Sequence, residues 1–178
     1  METCATTRGA RLSQLMSPQS AAGCDISRAD LIAREATYLR ASLFYRMAAV
    51  LILLFDIGHT VGFLQYDPEW KVDSLIGSMK SIHFDIQGFS RSYWEFFVGF
   101  GLFVTVFLLL AAVTAWQLGG LAAETLARLR GIRWSLAICF VALTFLSFRY
   151  FFVLPLVFST LITVCLIVAA LLKPQVNT

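Results

Sequence analysis

The chain has 178 residues, of which 58% are hydrophobic and 14% are charged, and its formal net charge is +3. Soluble domains carry about 25% charged residues, and a fold of this length keeps too many of its residues near the surface to hide so much apolar side chain. The composition therefore excludes a soluble globular domain and predicts an integral membrane protein. The small net charge gives no indication of nucleic-acid binding.

The N-terminal segment, residues 1–28, is predicted to be a disordered cytoplasmic tail. It is rich in Ser, Ala, Thr and Gly and has no hydrophobic periodicity. It also lacks an apolar stretch of the length that a signal peptide needs. Ser27 and Asp30 have the spacing of a capping box, which predicts that a polar helix begins here and leads into the membrane.

Four apolar segments follow, and they predict membrane spans at about 42–65, 94–118, 134–150 and 154–172. A helix crosses a bilayer with about 20 residues. Ser92 and Glu95 form a second predicted capping box at the start of the second span, and Gly119 ends it. Pro155 fits the first turn of the fourth span, after a tight hairpin. The predicted fold class is all-α, an integral membrane four-helix bundle that occupies residues 29–173.

The loop between the first two spans is predicted to carry a short amphipathic helix on the outer membrane surface. Asp67, Pro68 and Glu69 have the order of a helix cap, a first-turn proline and a first-turn acid. The apolar residues that follow have helical spacing; they are Val72, Leu75, Ile76 and Met79. Trp70 is expected at the headgroup level. Residues 81–91 are predicted to be a linker that bends at Gly88.

Basic residues predict the orientation of the chain. Ten of the 14 Lys and Arg residues lie before or at the start of the first span, in the loop between the second and third spans, or after the fourth span. All of these segments are on the side of both termini. The other four basic residues are on the opposite side. Positive charge is enriched in cytoplasmic loops, so both termini are predicted to be cytoplasmic. The expected location is the cell (inner) membrane, with the lipid bilayer as the surrounding partner.

The most informative polar residues are Asp56, His59 and Thr60, which share one face of the first span. An ionisable side chain at this depth is expected to face other helices or water, because exposing its charge to lipid is costly. Gly58 and Gly62 form a GxxxG pattern, which favours the close approach of another helix.

Topology is expected to gather other polar residues near the outer leaflet, close to the three on the first span. These residues come from the outer loop, the mouth of the second span and the tip of the last hairpin: His83, Asp85, Arg91, Tyr93, Glu95 and Arg149. Together with Asp56, His59 and Thr60 they form a candidate ligand-binding or polar cluster.

Three interpretations of this cluster remain open. The first is a structural plug, in which Asp56 pairs with His59 or an arginine and fixes the helix packing. The second is a pocket for a lipid headgroup, a quinone or a small amphiphile, with aromatic walls from Phe63, Trp94, Phe96 and Phe97. The third is a metal site or an acid/base catalytic site that uses His59, His83, Asp56, Asp85 or Glu95. Two histidines without regular ligand spacing are a poor metal signature, so no metal and no cofactor are predicted.

The segment Gly58-His59-Thr60, together with the run from Ser90 to Gly101 (SRSYWEFFVGFG), resembles an uncharacterised family of small four-span bacterial membrane proteins. The resemblance covers residues 42–172. The layout is also similar to the DoxX-like group, which has four helices, a polar pair late in the first span and a basic second loop. The resemblance implies a membrane location and a helical bundle, and it supplies no catalytic residues.

The expected function is that of a structural or small-ligand or lipid-binding membrane component. The alternatives are a membrane enzyme acting on a lipid or isoprenoid substrate and an accessory subunit of a transporter or redox complex. The sequence leaves open whether the chain is an enzyme. A membrane-protein partner or a homo-oligomer is compatible with each of these functions. Nucleic acid is not expected as a partner.

Overall fold

The computed structural model describes residues 28–172. Residues 1–27, the residues after Leu172 and the side chain of Asp30 are outside this description. The predicted tail and the predicted capping box at Ser27 and Asp30 therefore lie outside the described residues. The chain divides into a short N-terminal unit, Met1–Ala33, and a main unit, Arg34–Thr178. The description that follows concerns the main unit and the start of its first helix.

Besides one short 3-10 segment, the described residues contain six α-helices and one two-stranded sheet. In chain order they are α1 (Arg28–Gly62), α2 (Asp73–Ser81), β1 (His83–Ile86), β2 (Phe89–Ser92), α3 (Tyr93–Leu118), α4 (Ala123–Arg128), α5 (Arg130–Tyr150) and α6 (Val153–Leu171). The all-α class predicted from the sequence is confirmed, with one small hairpin added to it.

Four of these helices are long and apolar enough to cross a membrane, as in a multi-pass membrane protein. The candidate spans are Glu35–Gly62, Tyr93–Leu118, Arg130–Tyr150 and Val153–Leu171. In an 18-residue window of α3 the mean hydropathy is 2.7, yet only 11% of that window is buried inside the protein. An apolar surface that the protein itself does not cover requires another apolar environment, which a bilayer provides.

Local cap signals fix several helix ends as predicted. The side chain of Ser92 accepts from the Glu95 amide, and the Glu95 carboxylate accepts from the Ser92 amide, so the second capping box is confirmed. The C-cap of α3 is Gly119, and Pro155 lies in the first turn of α6. Asp67 caps a helical turn as predicted, but that turn is a short 3-10 segment, Pro68–Trp70, which precedes α2.

The predicted linker at residues 81–91 is wrong, because most of it forms the antiparallel hairpin β1–β2. His83 pairs with Ser92 and Ile86 pairs with Phe89. The two turn residues, Gln87 and Gly88, both have positive φ (54° and 84°), as a type I′ turn requires. Each strand has only four residues, so its alternation of polar and apolar residues is too short to stand out from a loop.

Two ends of the helical bundle are distinguished below. The α4 end contains the start of the α1 span, the end of α3, α4, the start of α5 and the end of α6. Tyr38 there donates to the Leu121 carbonyl at 2.8 Å, and Ser42 donates to the Gly119 carbonyl. The hairpin end is the opposite end, where β1–β2 leads into α3.

Candidate functional site

One buried stripe of α1 faces the interior of the bundle. Its members recur every three or four residues, as on one face of a helix, and they are Ala41, Tyr45, Ala48, Ile52 and Asp56. Four of the five are fully buried, and Asp56 is 5% exposed. The stripe therefore carries two polar groups, the hydroxyl of Tyr45 and the carboxyl of Asp56.

Asp56 is the buried group without a complete set of partners. Its Oδ1 has no hydrogen-bond partner among the described residues. At this level α1 packs against α6, because the ring of Phe55 stacks on that of Phe158 at 5.9 Å. The next residue of α6, Ser159, is fully buried and donates to the Leu156 carbonyl of its own helix. The carboxyl thus lies in the protein interior, one residue along α1 from a ring contact with α6.

His59 links α1 to α3 one turn further along. Its Nε2 lies 3.1 Å from the Gly101 carbonyl oxygen. A carbonyl oxygen can only accept, so Nε2 carries the proton in this contact, and Nδ1 is the nitrogen left for other interactions. A Cβ at Gly101 would overlap the ring of Phe63, so glycine is what permits α3 to approach here. Asp56 precedes His59 by three residues and shares its side of α1.

Thr60 makes the second polar contact between the same helices. Its Oγ1 lies 2.8 Å from Oγ1 of Thr105. The structure therefore brings Asp56, His59 and Thr60 together at one level of α1, as the sequence predicts, and places polar atoms of α3 beside two of them.

A row of aromatic rings in contact with one another runs from His59 to the hairpin end, and we call it the aromatic ladder. His59 stacks on Phe63 at 5.2 Å, Phe63 meets Phe97 at 6.2 Å, and Phe97 meets Trp94 at 5.6 Å. The ammonium group of Lys80 covers the Trp94 ring at 5.0 Å. Of the aromatic walls predicted from the sequence, Phe63, Trp94 and Phe97 belong to the ladder. Phe96 contacts Phe84 and Phe100 instead.

The remaining candidate residues form a separate group on the hairpin and at the start of α3. His83 contacts the Ser81 carbonyl at 2.9 Å, Arg91 donates to the Ser90 carbonyl at 2.9 Å, and Asp85 is exposed. Glu95 accepts from the Ser92 amide at 2.7 Å and lies near the charges of Arg91 and His83. The described contacts within this group do not include Asp56, His59 or Thr60.

Tyr93 and Arg149 have local partners as well. The ring of Tyr93 lies 5.1 Å from that of Phe84 in β1. The guanidinium of Arg149 covers the ring of its neighbour Tyr150 at 5.3 Å, and both side chains are exposed. Within residues 28–172, no group of three or more His, Cys, Asp or Glu side chains is placed so that it could hold a metal ion.

The sequence interpretation missed Arg133, which is 4% exposed. Its guanidinium donates to the Tyr45 hydroxyl at 3.0 Å and, at the C-terminus of α6, to the carbonyls of Ala169, Ala170 and Leu172 at 2.9–3.0 Å. It also reaches the Leu126 carbonyl at 3.4 Å. The side chain joins α1, α4, α5 and the end of α6.

A signal for this role is present in the sequence. Arg133 shares one helical stripe with Ala137, Phe140 and Ser147, the other buried residues of α5. The spacing of that stripe places Arg133 on the apolar face of the helix. Counting it as a basic loop residue overlooked this position.

Two tryptophans near the ends of α3 are each covered by a cation from another helix. Lys80 of α2 covers Trp94 near the N-terminus, and the guanidinium of Arg46 lies 5.5 Å from the Trp116 ring near the C-terminus. The tryptophans are 22 residues apart, which corresponds to roughly 33 Å along a helix. That length is close to the hydrocarbon thickness of a bilayer, about 30 Å.

An open depression lies at the end of α1, beyond the aromatic ladder. It is lined by Gly62, Gln65, Tyr66, Asp67 and Trp70. Neither Asp56 nor His59 contributes to its lining.

Comparison with known proteins adds no relative. The chain matches none of the family models, curated proteins and solved structures with which it was compared.

Proposed function

We propose that this multi-pass membrane protein binds a small membrane-soluble amphiphile through the carboxyl group of Asp56. The observation that carries the proposal is the unpartnered Oδ1 of a side chain that is only 5% exposed. Leaving a buried polar atom unpaired costs about 1–3 kcal/mol, and native proteins leave few such atoms unpaired. A ligand that offers a hydrogen bond to the carboxyl group supplies the missing partner.

The depth of Asp56 favours a ligand with an apolar body. If the two covered tryptophans of α3 mark the two faces of the hydrocarbon layer, Arg46 lies at one face. Asp56 follows Arg46 by ten residues on α1, which is about 15 Å along the helix, half of the roughly 30 Å layer. A molecule that reaches this level travels among acyl chains, so it must be largely hydrophobic.

The carboxyl group of Asp56 indicates the chemistry of the ligand's polar group. An ionised carboxyl group accepts from a hydroxyl or an amine, and a protonated one also donates to a carbonyl. The ionised form suits an isoprenoid alcohol or a lipid headgroup that carries a hydroxyl or an amine, and only the protonated form suits a quinone. The aromatic ladder provides flat apolar surfaces from Trp94 to His59 against which such a molecule can pack.

The orientation and membrane form part of the same proposal. We place both termini in the cytoplasm and the chain in the cell (inner) membrane, because ten of the 14 basic residues lie on the side of the termini and the α4 end. The resemblance to an uncharacterised family of small four-span bacterial membrane proteins implies the same membrane location. Reporter fusions after residues 75, 126 and 176 test the orientation: the first should be external, and the other two cytoplasmic.

The binding proposal is tested by purifying the full chain in a mild detergent and identifying bound small molecules by native mass spectrometry. The wild-type chain should carry an amphiphile that Asp56→Leu loses. Asp85→Asn is the matched control, since it removes an exposed carboxylate from the hairpin and should keep the ligand. Retention of the same molecule by Asp56→Leu, or a wild-type chain that repeatedly purifies without one from native membranes, contradicts the proposal.

A further inference from the structure

The β1–β2 hairpin has one apolar face and one polar face. Residues that pair directly across an antiparallel ladder point to the same side of the sheet. Phe84 pairs with Arg91 and Ile86 with Phe89, so these four share one face, which we call the apolar face. The other two pairs form the polar face; they are His83 with Ser92 and Asp85 with Ser90.

The apolar face continues the exposed aromatic surface of α3. The ring of Phe84 contacts Tyr93 at 5.1 Å and Phe96 at 5.3 Å, so the hairpin lies beside the first turn of α3. From Phe96 the row of rings runs down the helix through Phe100 to Phe103. These rings lie on a predominantly exposed, apolar span, which makes them the surface that acyl chains cover.

The outer part of the apolar face is largely exposed. Ile86 is 55% exposed and Phe89 is 64% exposed. Both precede Trp94, which the covering Lys80 marks as an interfacial tryptophan. The hairpin tip therefore lies at the boundary between the acyl chains and the headgroups if the spans cross as described.

We infer that the hairpin is a membrane-interface anchor whose apolar face inserts into the phospholipid leaflet at this end of the bundle. Ile86 and Phe89 contact the upper acyl chains, and the polar face with Asp85 and Ser90 points to water. Arg91 lies on the apolar face with its guanidinium 5.8 Å from the Phe89 ring, where it can extend to lipid phosphates, as long basic side chains do at an interface. This anchor does not depend on any role of Asp56.

Neighbouring positions of the hairpin provide a sharp test, because the two faces alternate along each strand. Spin labels are attached to single cysteines at Ile86, Phe89, Asp85 and Ser90 of the full chain, in a background without its native cysteines, in phosphatidylcholine and phosphatidylglycerol vesicles. Labels at Ile86 and Phe89 should collide several-fold more often with oxygen, which concentrates in lipid, than with a water-soluble nickel chelate. Labels at Asp85 and Ser90 should show the reverse.

Other outcomes overturn the anchor. High nickel accessibility at all four positions means that the hairpin projects into water. Labels at Ile86 and Phe89 that are shielded from both reagents mean that a second protein surface covers this face. The unmodified chain provides an independent measurement, in which a phospholipid with a photoreactive group near its headgroup should crosslink to the peptide that contains Ile86 and Phe89. No crosslink at that peptide contradicts the inference even if the labelled variants fail to fold.

Discussion

At the α4 end of the bundle, the guanidinium of Arg133 contacts five oxygen atoms from α1, α4 and the end of α6. Near the middle of the α1 span, Oδ1 of Asp56 contacts none among the described residues. Both side chains are about 95% buried, and both belong to residue types that are rarely buried without a partner. The two groups differ in whether the protein itself satisfies them.

This difference separates a structural role from a binding role. Three of the five acceptors around Arg133 are carbonyls at the end of α6 that would otherwise lack a partner. Each nitrogen of the guanidinium has a protein partner, so the arginine completes the fold. Asp56 is held in place by the same kind of packing, yet its free oxygen adds cost rather than stability. Four sets of substitutions sharpen the contrast, from the largest expected effect to the smallest.

Replacing Arg133 should cause the largest loss of stability. Arg133→Met is expected to lower the free energy of unfolding by about 3 kcal/mol, because hydrogen bonds from a charged donor are each worth about 1.5–3 kcal/mol and the Tyr45 hydroxyl and α6 carbonyls lose their partner. Unfolding in mixed micelles with increasing dodecyl sulfate measures the change. Arg133→Lys should recover only part of it, since an ammonium group cannot reproduce the planar fork.

Arg130 supplies the matched control for this substitution. It is exposed at the start of the same helix, so Arg130→Met removes an equal charge without a buried contact. Its effect should stay within about 0.5 kcal/mol. Equal losses for the two variants would show that charge at the α4 end, rather than the buried contacts, stabilises the bundle.

Gly101 and Gly99 form the second comparison, at the level of His59. Both are helical glycines of α3, but a Cβ at Gly101 overlaps the Phe63 ring, whereas a Cβ at Gly99 meets nothing within 4 Å. Gly101→Ala should cost about 2 kcal/mol through overpacking, and Gly99→Ala should be neutral or stabilising by up to about 1 kcal/mol. Melting temperatures in detergent measure both, and similar values for the two would contradict the close α1–α3 contact.

The features that the sequence predicted correctly are local ones. They are the apolar segments, the Ser92–Glu95 capping box and the Asp67 cap. Each depends on residues within a few positions of each other, so the sequence pattern predicts it without knowledge of the fold. Asp56 stood out because a carboxyl group in an apolar segment is costly in any arrangement. The grouping of Asp56, His59 and Thr60 follows from helical spacing alone.

The partners of these residues could not be predicted in the same way. Gly101 and Thr105 lie more than 40 positions from the α1 residues that they contact, and Tyr45 lies 88 positions from Arg133. Such contacts depend on how the helices pack, which hydropathy does not encode. The partners in the hairpin group, with His83, Asp85 and Arg91, depend on the strand register instead. The Gln87-Gly88 turn sets this register, which decides which side of the hairpin each residue faces.

Asp56→Leu should stabilise the ligand-free protein, opposite to the effect at Arg133. Removing an unpartnered buried oxygen relieves a cost of about 1 kcal/mol or more, and stabilising substitutions of this kind are typical of functional sites. Asp56→Asn is the control, because it keeps the shape and a polar side chain at the same place. Unfolding of delipidated samples measures the three proteins, and a clear destabilisation by Asp56→Leu would show that the carboxyl group has a structural partner.

The smallest effect is expected at the hydroxyl pair that lies beside this site. Thr60 and Thr105 join α1 to α3 at 2.8 Å, and Thr144 and Thr163 join α5 to α6 at 2.9 Å. Hydrogen bonds between membrane helices average about 0.6 kcal/mol in double-mutant cycles, so valine cycles at both pairs should give coupling energies near that value. The Thr60–Thr105 bond starts one helical turn from Asp56 on α1, whereas the Thr144–Thr163 bond joins α5 to α6. Losing the Thr60–Thr105 bond should therefore also weaken amphiphile binding at Asp56, whereas losing the Thr144–Thr163 bond should leave binding unchanged.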